Sequence, residues 1–312
     1  MAEGSASWRN TNALAYLFIS ASTLVINKLA IRAVDGDSVG LLALQLIFTA
    51  MVSTTLATKW MPVDNSLTMA EFKSLLLSAV IFCATVYANF QVLATTSVEL
   101  FIALRASVPI VTAVADWWFL ERELPDARSC VALLGICAGV LSYAWDAQSE
   151  LRIGVVPILA WYTFFVSDQC YLKYVCDTFE LSTNTRVFYT NFIAGLGAFA
   201  CTVFRSPLKV DGMGIVALSC IAGASMSFVS WKAREVMSAT SFSVLGVIAK
   251  LGSLVLSFLI LQTATSVVAA SGIVVSILCG AAYRQAPNRE ARASREPNES
   301  LDAHISGVAN VF

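Results

Sequence analysis

Apolar segments of about twenty residues recur along almost the whole chain, separated by short polar turns. A helix needs about 17–25 apolar residues to cross the roughly 30 Å hydrocarbon core of a bilayer. The segments are too long and too uniformly apolar for the alternating strands of about ten residues in a membrane β-barrel. The pattern therefore predicts an all-α polytopic membrane protein with ten transmembrane helices. Their expected bounds are 12–32, 38–58, 73–95, 97–119, 128–145, 153–175, 184–204, 213–236, 239–262 and 265–284.

The predicted spans divide the chain into three regions. Residues 1–11 form a short N-terminal segment, and residues 12–285 form the ten-helix domain. Residues 286–312 are polar and almost free of aromatic side chains, so we expect this tail to be disordered.

A faint internal repeat suggests that the ten-helix domain consists of two related halves, 12–146 and 152–285. Lys28 aligns with Lys173, and Pro109 aligns with Gly252. Halves with five crossings each must have opposite orientations in the membrane. Inverted repeats of this kind occur in many transporters, which bind their substrate at the membrane midplane between the halves.

The composition excludes several other classes of protein. Only 13% of the residues are charged and 57% are hydrophobic, whereas an ordinary soluble domain has about 25% charged residues. Twenty basic and 21 acidic residues give almost no net charge, which argues against a nucleic-acid partner. The 8 cysteines include no CxxC pair, and the single histidine, His304, lies in the tail. We therefore expect no metal site, no cofactor and no disulfide framework, and the absence of a catalytic constellation predicts that the chain is not an enzyme.

Basic residues in the loops predict the orientation of the spans. Cytosolic loops carry an excess of Lys and Arg. With the N-terminus in the cytosol, twelve basic residues fall on the cytosolic side and four on the other, so both termini are predicted to be cytosolic. The twelve are Arg9, Lys59, Lys73, Arg122, Arg128, Arg186, Lys232, Arg234, Arg284, Arg289, Arg292 and Arg295, and the four are Arg32, Arg152, Arg205 and Lys209.

Two basic residues lie deep inside predicted spans. Arg105 is in span four, and Lys250 is in span nine without a carboxylate on its own helix face. Ionisable residues at this depth normally face a protein-lined cavity and mark a functional site. The planar guanidinium of an arginine suits a phosphate group.

An internal ion pair is the alternative explanation for Arg105. Asp168 or Asp116 could neutralise it without any ligand. Asp116 is eleven residues further along the same span, which corresponds to about 16 Å at 1.5 Å per residue, so it is too distant for direct contact. Asp168 remains open as a partner.

Span seven contains a polar group near its start, formed by Tyr189, Thr190 and Asn191. These side chains could hydrogen-bond the edge of a nucleobase, and the tyrosine ring could stack on it. They are equally compatible with hydrogen bonds between neighbouring spans, which are common in membrane bundles.

The chain resembles the nucleotide-sugar transporters of the drug/metabolite transporter superfamily, in particular the plant Golgi GDP-mannose and GDP-sugar branch. The resemblance covers nearly the whole chain and is strongest in two motifs. FYTN, at 188–191, corresponds to the family motif FYNN, which contacts guanine. GVIAK, at 246–250, corresponds to GALNK, which contacts sugar and phosphate. The resemblance implies a multi-pass Golgi protein that exchanges a cytosolic nucleotide sugar for a lumenal nucleoside monophosphate.

The resemblance also implies a set of substrate-binding residues. Arg105 and Lys250 would hold the diphosphate. The base-binding group would consist of Tyr189, Thr190, Asn191 and Ser227, and Tyr16 and Gly246 would contact the sugar. Phe242, at a family tyrosine position ahead of the second motif, completes the substrate-binding set. Three positions depart from the family pattern: Thr190 and Ala249 each replace an asparagine, and Phe242 replaces a tyrosine.

Two alternatives remain open at this point. The same fold could carry a UDP-sugar, a sugar phosphate or a triose phosphate. The chain could also be a membrane scaffold or receptor that transports nothing. The sequence leaves open whether the protein forms a homodimer.

Overall fold

The computed structural model describes residues 2–57, 61–95, 98–146, 155–203, 210–261 and 266–289. These ranges contain ten α-helices and no β-strand, apart from one isolated bridge between Arg122 and Asn288. Each helix overlaps one predicted span. The helices are α1 (Ala2–Ala33), α2 (Ser38–Thr55), α3 (Met69–Thr95), α4 (Val98–Phe119), α5 (Ala127–Asp146), α6 (Val155–Thr178), α7 (Thr183–Val203), α8 (Met213–Val236), α9 (Ala239–Leu261) and α10 (Val267–Ala282).

Helix α1 extends beyond the first predicted span, 12–32, into the N-terminal segment. The helix already starts at Ala2, whereas the apolar part that could cross a membrane runs from Thr11 to Ala33. The polar residues at the start of α1 continue the helix outside the apolar region.

Several helices begin at capping residues that the sequence places next to an apolar run. The Asp37 side chain accepts a hydrogen bond from the Gly40 amide at 3.0 Å at the start of α2. Thr68 and Glu71 form a reciprocal capping box at the start of α3. Such caps satisfy amide groups that have no partner within the helix.

The helices have the composition of membrane spans. Six described helices are long and apolar enough to cross a membrane, and shorter apolar helices cover Ala239–Val255 and Val267–Ala282. Helices α6 and α7 are not in this set; α6 carries the charged residues Asp168, Lys173 and Asp177. The fold is therefore that of an all-α polytopic membrane protein, as predicted.

Large apolar side chains on the outer surface support the same conclusion. Phe18 is 75% exposed, Trp145 is 87% exposed and Val267 is 85% exposed. A soluble monomer rarely shows extensive apolar patches. In a bilayer these side chains would contact lipid.

The main helix contacts join the two predicted halves. Helix α2 packs on α7, α5 on α10, α1 on α8, α3 on α6 and α4 on α9. Each pair combines a helix from 12–146 with one from 152–285. Small residues allow a close approach between α5 and α10 at Gly139 and Gly272. The inverted relationship of the halves remains a prediction.

The first residues of the predicted tail are ordered. The Glu123 amide donates to the Pro287 carbonyl at 3.1 Å, and the Arg289 amide donates to the Glu121 carbonyl at 3.0 Å. The Arg289 guanidinium also lies 5.4 Å from the centre of the Trp117 ring. Residues 286–289, which the sequence predicts to be disordered, therefore pair with the loop between α4 and α5. Residues 290–312 lie outside the described residues.

Candidate functional site

A cavity of about 340 Å³ lies among eight of the ten helices. Its lining residues come from α1, α2, α3 and α4 on one side and from α6, α7, α8 and α9 on the other. Among the described residues that line it, none comes from α5 or α10, which pack against each other. The site is therefore positioned between the two predicted halves. The charged side chains among the described residues of its wall are Arg105, Asp168 and Arg234.

Arg105 lies on the cavity wall between aromatic rings. Its guanidinium carbon is 4.4 Å from the centre of the Phe165 ring and 5.6 Å from that of Phe101. Ion pairs found among the described residues do not include Arg105. A cation over a ring face is stabilised by about 0.5–2 kcal/mol, so the rings hold the guanidinium while its N–H donors remain available to a ligand.

The two carboxylates considered as partners for Arg105 have other contacts. Asp116 accepts a hydrogen bond from the Thr240 amide at 2.8 Å and so caps the start of α9. Asp168 forms an ion pair with Arg234, with 3.4 Å between Oδ2 and Nη2. The internal ion pair proposed as the alternative for Arg105 is therefore absent from the described part of the chain.

Arg234 and Asp168 are site residues that the sequence reasoning missed. Arg234 was assigned to the cytosolic loops because it lies in the last turn of α8, yet its side chain is only 9% exposed. Its guanidinium carbon lies 4.0 Å from the centre of the Phe242 ring. Asp168, an acidic residue in the middle of an apolar span, was the available signal, since such a residue requires a partner.

The residues assigned to sugar binding lie together on one wall. The rings of Tyr16 and Phe242 meet edge to face, with 4.8 Å between their centres. The Tyr16 hydroxyl is 3.7 Å from the position that a Cβ atom would occupy at Gly246. The absence of a side chain at Gly246 thus leaves room beside the tyrosine hydroxyl.

Three residues assigned to base binding also line the cavity, and they already form hydrogen bonds. Ser227 donates to Asn191 Oδ1 at 3.2 Å, and Asn191 Nδ2 donates to the Val187 carbonyl at 2.8 Å. Thr190 donates to the Arg186 carbonyl one turn earlier. These bonds fix the orientation of the three side chains, while Asn191 Nδ2 has a second hydrogen and both hydroxyl oxygens can still accept a hydrogen bond.

Tyr189 and Lys250 are the two predicted residues that the structure does not place on the described cavity wall. The Tyr189 hydroxyl donates to the Asp64 carbonyl at 3.3 Å and so faces the segment before α3. Lys250 lies one turn along α9 from Gly246. The other seven predicted residues line the cavity.

The part of the chain that the structure describes contains no cluster of three or more His, Cys, Asp or Glu side chains that could hold a metal ion. The described wall of the cavity offers two guanidinium groups, one carboxylate, amides, hydroxyls and aromatic rings. Such a set can bind and orient an anionic ligand that also carries hydrogen-bonding groups.

Comparison with known proteins gives matches over most of the chain. No family model matches it. The chain is 28% identical over 297 residues to the GDP-mannose transporter GONST3 of Arabidopsis thaliana, which covers 89% of this chain and 78% of the relative. It is 26% identical over 288 residues to GDP-fucose transporter 1 of the same plant, covering 87% of this chain and 84% of the relative. The chain fits the plant-type nucleotide-sugar transporter family.

The family resemblance read from the sequence is thus confirmed. Both relatives are named as transporters, which supports the expectation that this chain is not an enzyme. A solved crystal structure also matches with a TM-score of 0.69, covering 88% of this chain and 96% of its own. At 14% identity that likeness establishes the fold alone.

Proposed function

We propose that this chain is a Golgi nucleotide-sugar antiporter that carries a GDP-sugar, GDP-mannose or a related sugar, into the lumen in exchange for GMP. The observation that carries the proposal is the guanidinium of Arg105, which lines the cavity without an ion pair among the described residues. The two relatives, both named for GDP-sugars, favour guanine over uracil as the base.

The lining residues support an assignment of the parts of the substrate. Arg105 binds the diphosphate, and Lys250, one turn beyond the cavity wall, adds positive charge on the same side. Tyr16, Phe242 and Gly246 surround the sugar. The base lies against Thr190, Asn191 and Ser227. Tyr189 joins this group only if its hydrogen bond to Asp64 is released.

The helix contacts support alternating access by two inverted halves. If each helix of the first half corresponds to the helix five positions later, then α1 corresponds to α6 and α3 to α8. Under this relation the α1–α8 contact corresponds to the α3–α6 contact. The α2–α7, α4–α9 and α5–α10 contacts are each converted into themselves by the same relation. Two such halves could expose the cavity first to one side of the membrane and then to the other. Both termini would face the cytosol.

The charge of the empty cavity supports exchange over one-way transport. A nucleotide sugar and a nucleoside monophosphate carry similar negative charge, so either can neutralise the cavity. Without a ligand, the cations at Arg105 and Lys250 remain uncompensated in a region of low dielectric constant. The empty carrier is therefore slow to change its orientation.

Exchange in liposomes tests the proposal. The purified protein is reconstituted into vesicles preloaded with GMP, UMP, phosphate or buffer alone, and uptake of GDP-mannose, GDP-fucose and a UDP-sugar is measured. We expect rapid GDP-sugar uptake only with internal GMP. Equal uptake into empty vesicles would exclude obligatory exchange. Preference for internal UMP would favour the UDP-sugar carrier, and preference for phosphate the sugar- or triose-phosphate carrier.

Nucleotide-induced stabilisation separates a carrier from a scaffold that binds nothing. A ligand that binds only the folded state raises the melting temperature, and the stabilisation grows with the logarithm of its concentration relative to its Kd. We expect GMP and GDP-mannose to raise the melting temperature of the detergent-solubilised protein. No shift with any nucleotide would support the scaffold.

A further inference from the structure

Three helix ends at the predicted cytosolic face, those of α6, α7 and α8, meet beside one carboxylate, Glu235. Nη1 of Arg186, in the first turn of α7, donates to Glu235 Oε1 at 2.9 Å, and the Thr183 hydroxyl donates to the same oxygen at 2.6 Å. Nη2 of Arg186 donates to the Phe179 carbonyl, just after the end of α6, at 2.9 Å. One guanidinium therefore ties the start of α7 to the ends of both neighbouring helices. We call Thr183, Arg186 and Glu235 the latch.

The latch is more shielded from water than an ordinary surface ion pair. The side chain of Arg186 is 4% exposed and that of Glu235 is 26% exposed. Fully exposed pairs contribute little, whereas charge-assisted hydrogen bonds in a shielded place are among the strongest in proteins. Lys173 adds a second tie, because its ammonium donates to the Arg234 carbonyl at 3.0 Å and so joins α6 to α8.

The floor of the cavity lies directly above the latch. Trp231 lines the cavity, is only 4% exposed and precedes Glu235 by one turn of α8. It belongs to a buried apolar cluster drawn from α3, α6, α7 and the α6–α7 loop, whose other members are Leu75, Leu172, Val175, Leu181 and Val187. In the other direction the lining continues to Asn27 and Asn89, in the later turns of α1 and α3. The cavity is therefore closed at its predicted cytosolic end.

The helix contacts differ between the two halves at this point. Within the described ranges α8 packs on both α6 and α7, whereas α3, the helix that corresponds to α8, packs on neither α1 nor α2. In two inverted halves, a contact at the cytosolic end of one half corresponds to a contact at the lumenal end of the other. The contacts that would close the lumenal end are thus missing where those that close the cytosolic end are present.

We propose that the latch holds the carrier in its lumen-facing state, and that release of Glu235 opens the cavity to the cytosol. In the opposite state α8 would stand apart from α6 and α7, as α3 now stands apart from α1 and α2. All hydrogen bonds of the latch would then be lost. The inference rests on the proposed function, since it names the residues that set the side from which the nucleotide site is reached.

Two exposed positions define the two sides experimentally. The segment before α3, which contains Ser66, lies at the latch end, because the Asp64 amide donates to the Thr185 hydroxyl oxygen on α7 at 2.9 Å. Asp211 lies at the other end, where its amide donates to the Ala33 carbonyl at the end of α1 at 2.7 Å. Cysteines at Ser66 and Asp211 therefore report the latch side and the opposite side in any vesicle preparation.

Reaction of a single cysteine in the cavity tests the proposal. Ser230→Cys, on the α8 wall, is the reporter, in a chain whose exposed Cys130 and Cys201 are replaced with serine. A small anionic methanethiosulfonate is supplied on one side of sealed vesicles at a time, and the chain without the reporter gives the background. We expect the reporter to react on the Asp211 side and to be protected on the Ser66 side. Fast reaction on the Ser66 side would mean that the latch end is open, and would overturn the inference.

Two variants weaken the latch by different amounts. Glu235→Gln loses the charge-assisted bond to Arg186, so the reporter should react about ten-fold faster on the Ser66 side. Thr183→Val removes one hydroxyl and keeps the ion pair, and should give a smaller rise of about three-fold. Neither variant should raise the rate on the Asp211 side, whereas unfolding would raise both rates. If neither variant accelerates the reaction on the Ser66 side, the latch does not keep this end closed.

Lys232→Gln is the matched control. Lys232 contacts Glu235 Oε2 at 3.2 Å from within α8, so this pair joins no two helices. Both reaction rates of the reporter should equal those of the unmodified latch. Acceleration equal to that of Glu235→Gln would show that the surface charge, and not the link between α7 and α8, controls access, and would contradict the inference.

The design separates the latch from the proposed function, because labelling of the reporter requires no nucleotide. If the reporter and the latch variants behave as expected but no GDP-sugar is exchanged for GMP, the proposed substrate is wrong and the latch remains. If exchange occurs while the reporter reacts equally on both sides, or the variants leave it protected, the latch is wrong and the carrier remains.

Discussion

The guanidinium carbon of Arg105 lies 4.4 Å from the centre of the Phe165 ring, whereas Asp168, the carboxylate that lines the same cavity, forms its ion pair with Arg234. Aromatic rings hold a cation without neutralising it, because their attraction leaves its full charge in place. Among the described residues that line the cavity, Arg105 is therefore the cation without a direct ion pair, and it is placed to meet an incoming diphosphate.

Replacing Arg105 should remove phosphate binding. Arg105→Gln loses a charge-assisted hydrogen bond worth about 1.5–3 kcal/mol, or roughly ten- to 150-fold in affinity. Arg105→Lys keeps the charge but not the planar fork, so its loss should be smaller. The measurements are GDP-sugar uptake and the GMP-induced thermal shift.

Lys232→Gln provides a matched loss of one positive charge. Lys232 is 40% exposed and pairs with Glu235 at the protein surface, away from the cavity. Such a pair contributes about 0–1 kcal/mol, so transport should continue at the wild-type rate. Equal loss of uptake in both variants would show that overall charge matters more than the position of Arg105.

Lys250→Met should have opposite effects on GDP-sugar uptake and on the thermal stability of the empty protein. Lys250 forms no ion pair with a described residue. Its removal should raise the melting temperature of the empty protein, because an uncompensated charge leaves the interior, while GDP-sugar uptake falls. Thermal unfolding with and without GMP measures both effects.

Lys173→Met is the corresponding change at a cation with partners. Lys173 contacts Asp177 at 2.7 Å and donates to the Arg234 carbonyl at 3.0 Å. This variant should lower the melting temperature. A lower melting temperature for Lys250→Met as well would mean that Lys250 stabilises the empty fold and is not held for a ligand.

Most of the fold follows from the apolar segments, because a helix of fixed rise must match the thickness of the bilayer. The order of the tail at 286–289 did not follow, because it depends on backbone pairing with the distant loop at 121–123. Composition predicts solvation of a polar segment, and it contains no information about such a partner.

The site could be predicted only in part. Arg105 was identifiable because an intramembrane cation is rare. Tyr189 was grouped with Thr190 and Asn191 as a base contact, but successive residues on a helix point about 100° apart, and the Tyr189 hydroxyl bonds to the Asp64 carbonyl instead. Arg234 was missed because a basic residue near a helix end ordinarily extends to the membrane surface.

The cap on α9 gives a stability prediction that does not involve the ligand. Asp116 is 3% exposed and accepts the Thr240 amide at 2.8 Å, which joins α4 to α9. Asp116→Ala leaves a buried amide without a partner, at a cost of about 1–3 kcal/mol. The melting temperature in detergent should fall, and Asp116→Asn should restore part of the loss.

Asp126→Ala removes an exposed cap, the Ser129 amide bond at 2.9 Å, and should have a smaller effect. The reverse order would contradict a structural role for the α4–α9 link.

The orientation of the spans can be tested with single cysteines. Ser66, before α3, and Asp211, before α8, are both exposed and are predicted to lie on the cytosolic and lumenal sides. The starting variant would replace the two exposed cysteines, Cys130 and Cys201, with serine. In sealed Golgi vesicles an impermeant maleimide should label Ser66→Cys directly, and Asp211→Cys only after permeabilisation. Direct labelling of Asp211→Cys alone would reverse the predicted topology.

The contact between α5 and α10 predicts a sharp difference between two glycines. A Cβ atom at Gly139 would lie 2.4 Å from both the Gly272 carbonyl oxygen and the Ser276 hydroxyl oxygen. Gly139→Ala should therefore force the helices apart and destabilise the protein by about 1–3 kcal/mol. At Gly197 of α7 nothing lies within 4 Å of the same position, and Gly197→Ala should be neutral or stabilising by about 0.5–1 kcal/mol, because alanine favours a helix. Thermal unfolding of the two variants in one detergent measures the contrast, and equal melting temperatures would mean that α5 and α10 do not approach this closely. Since neither helix lines the described cavity, the GMP-to-UMP preference of folded Gly139→Ala should equal that of the wild type.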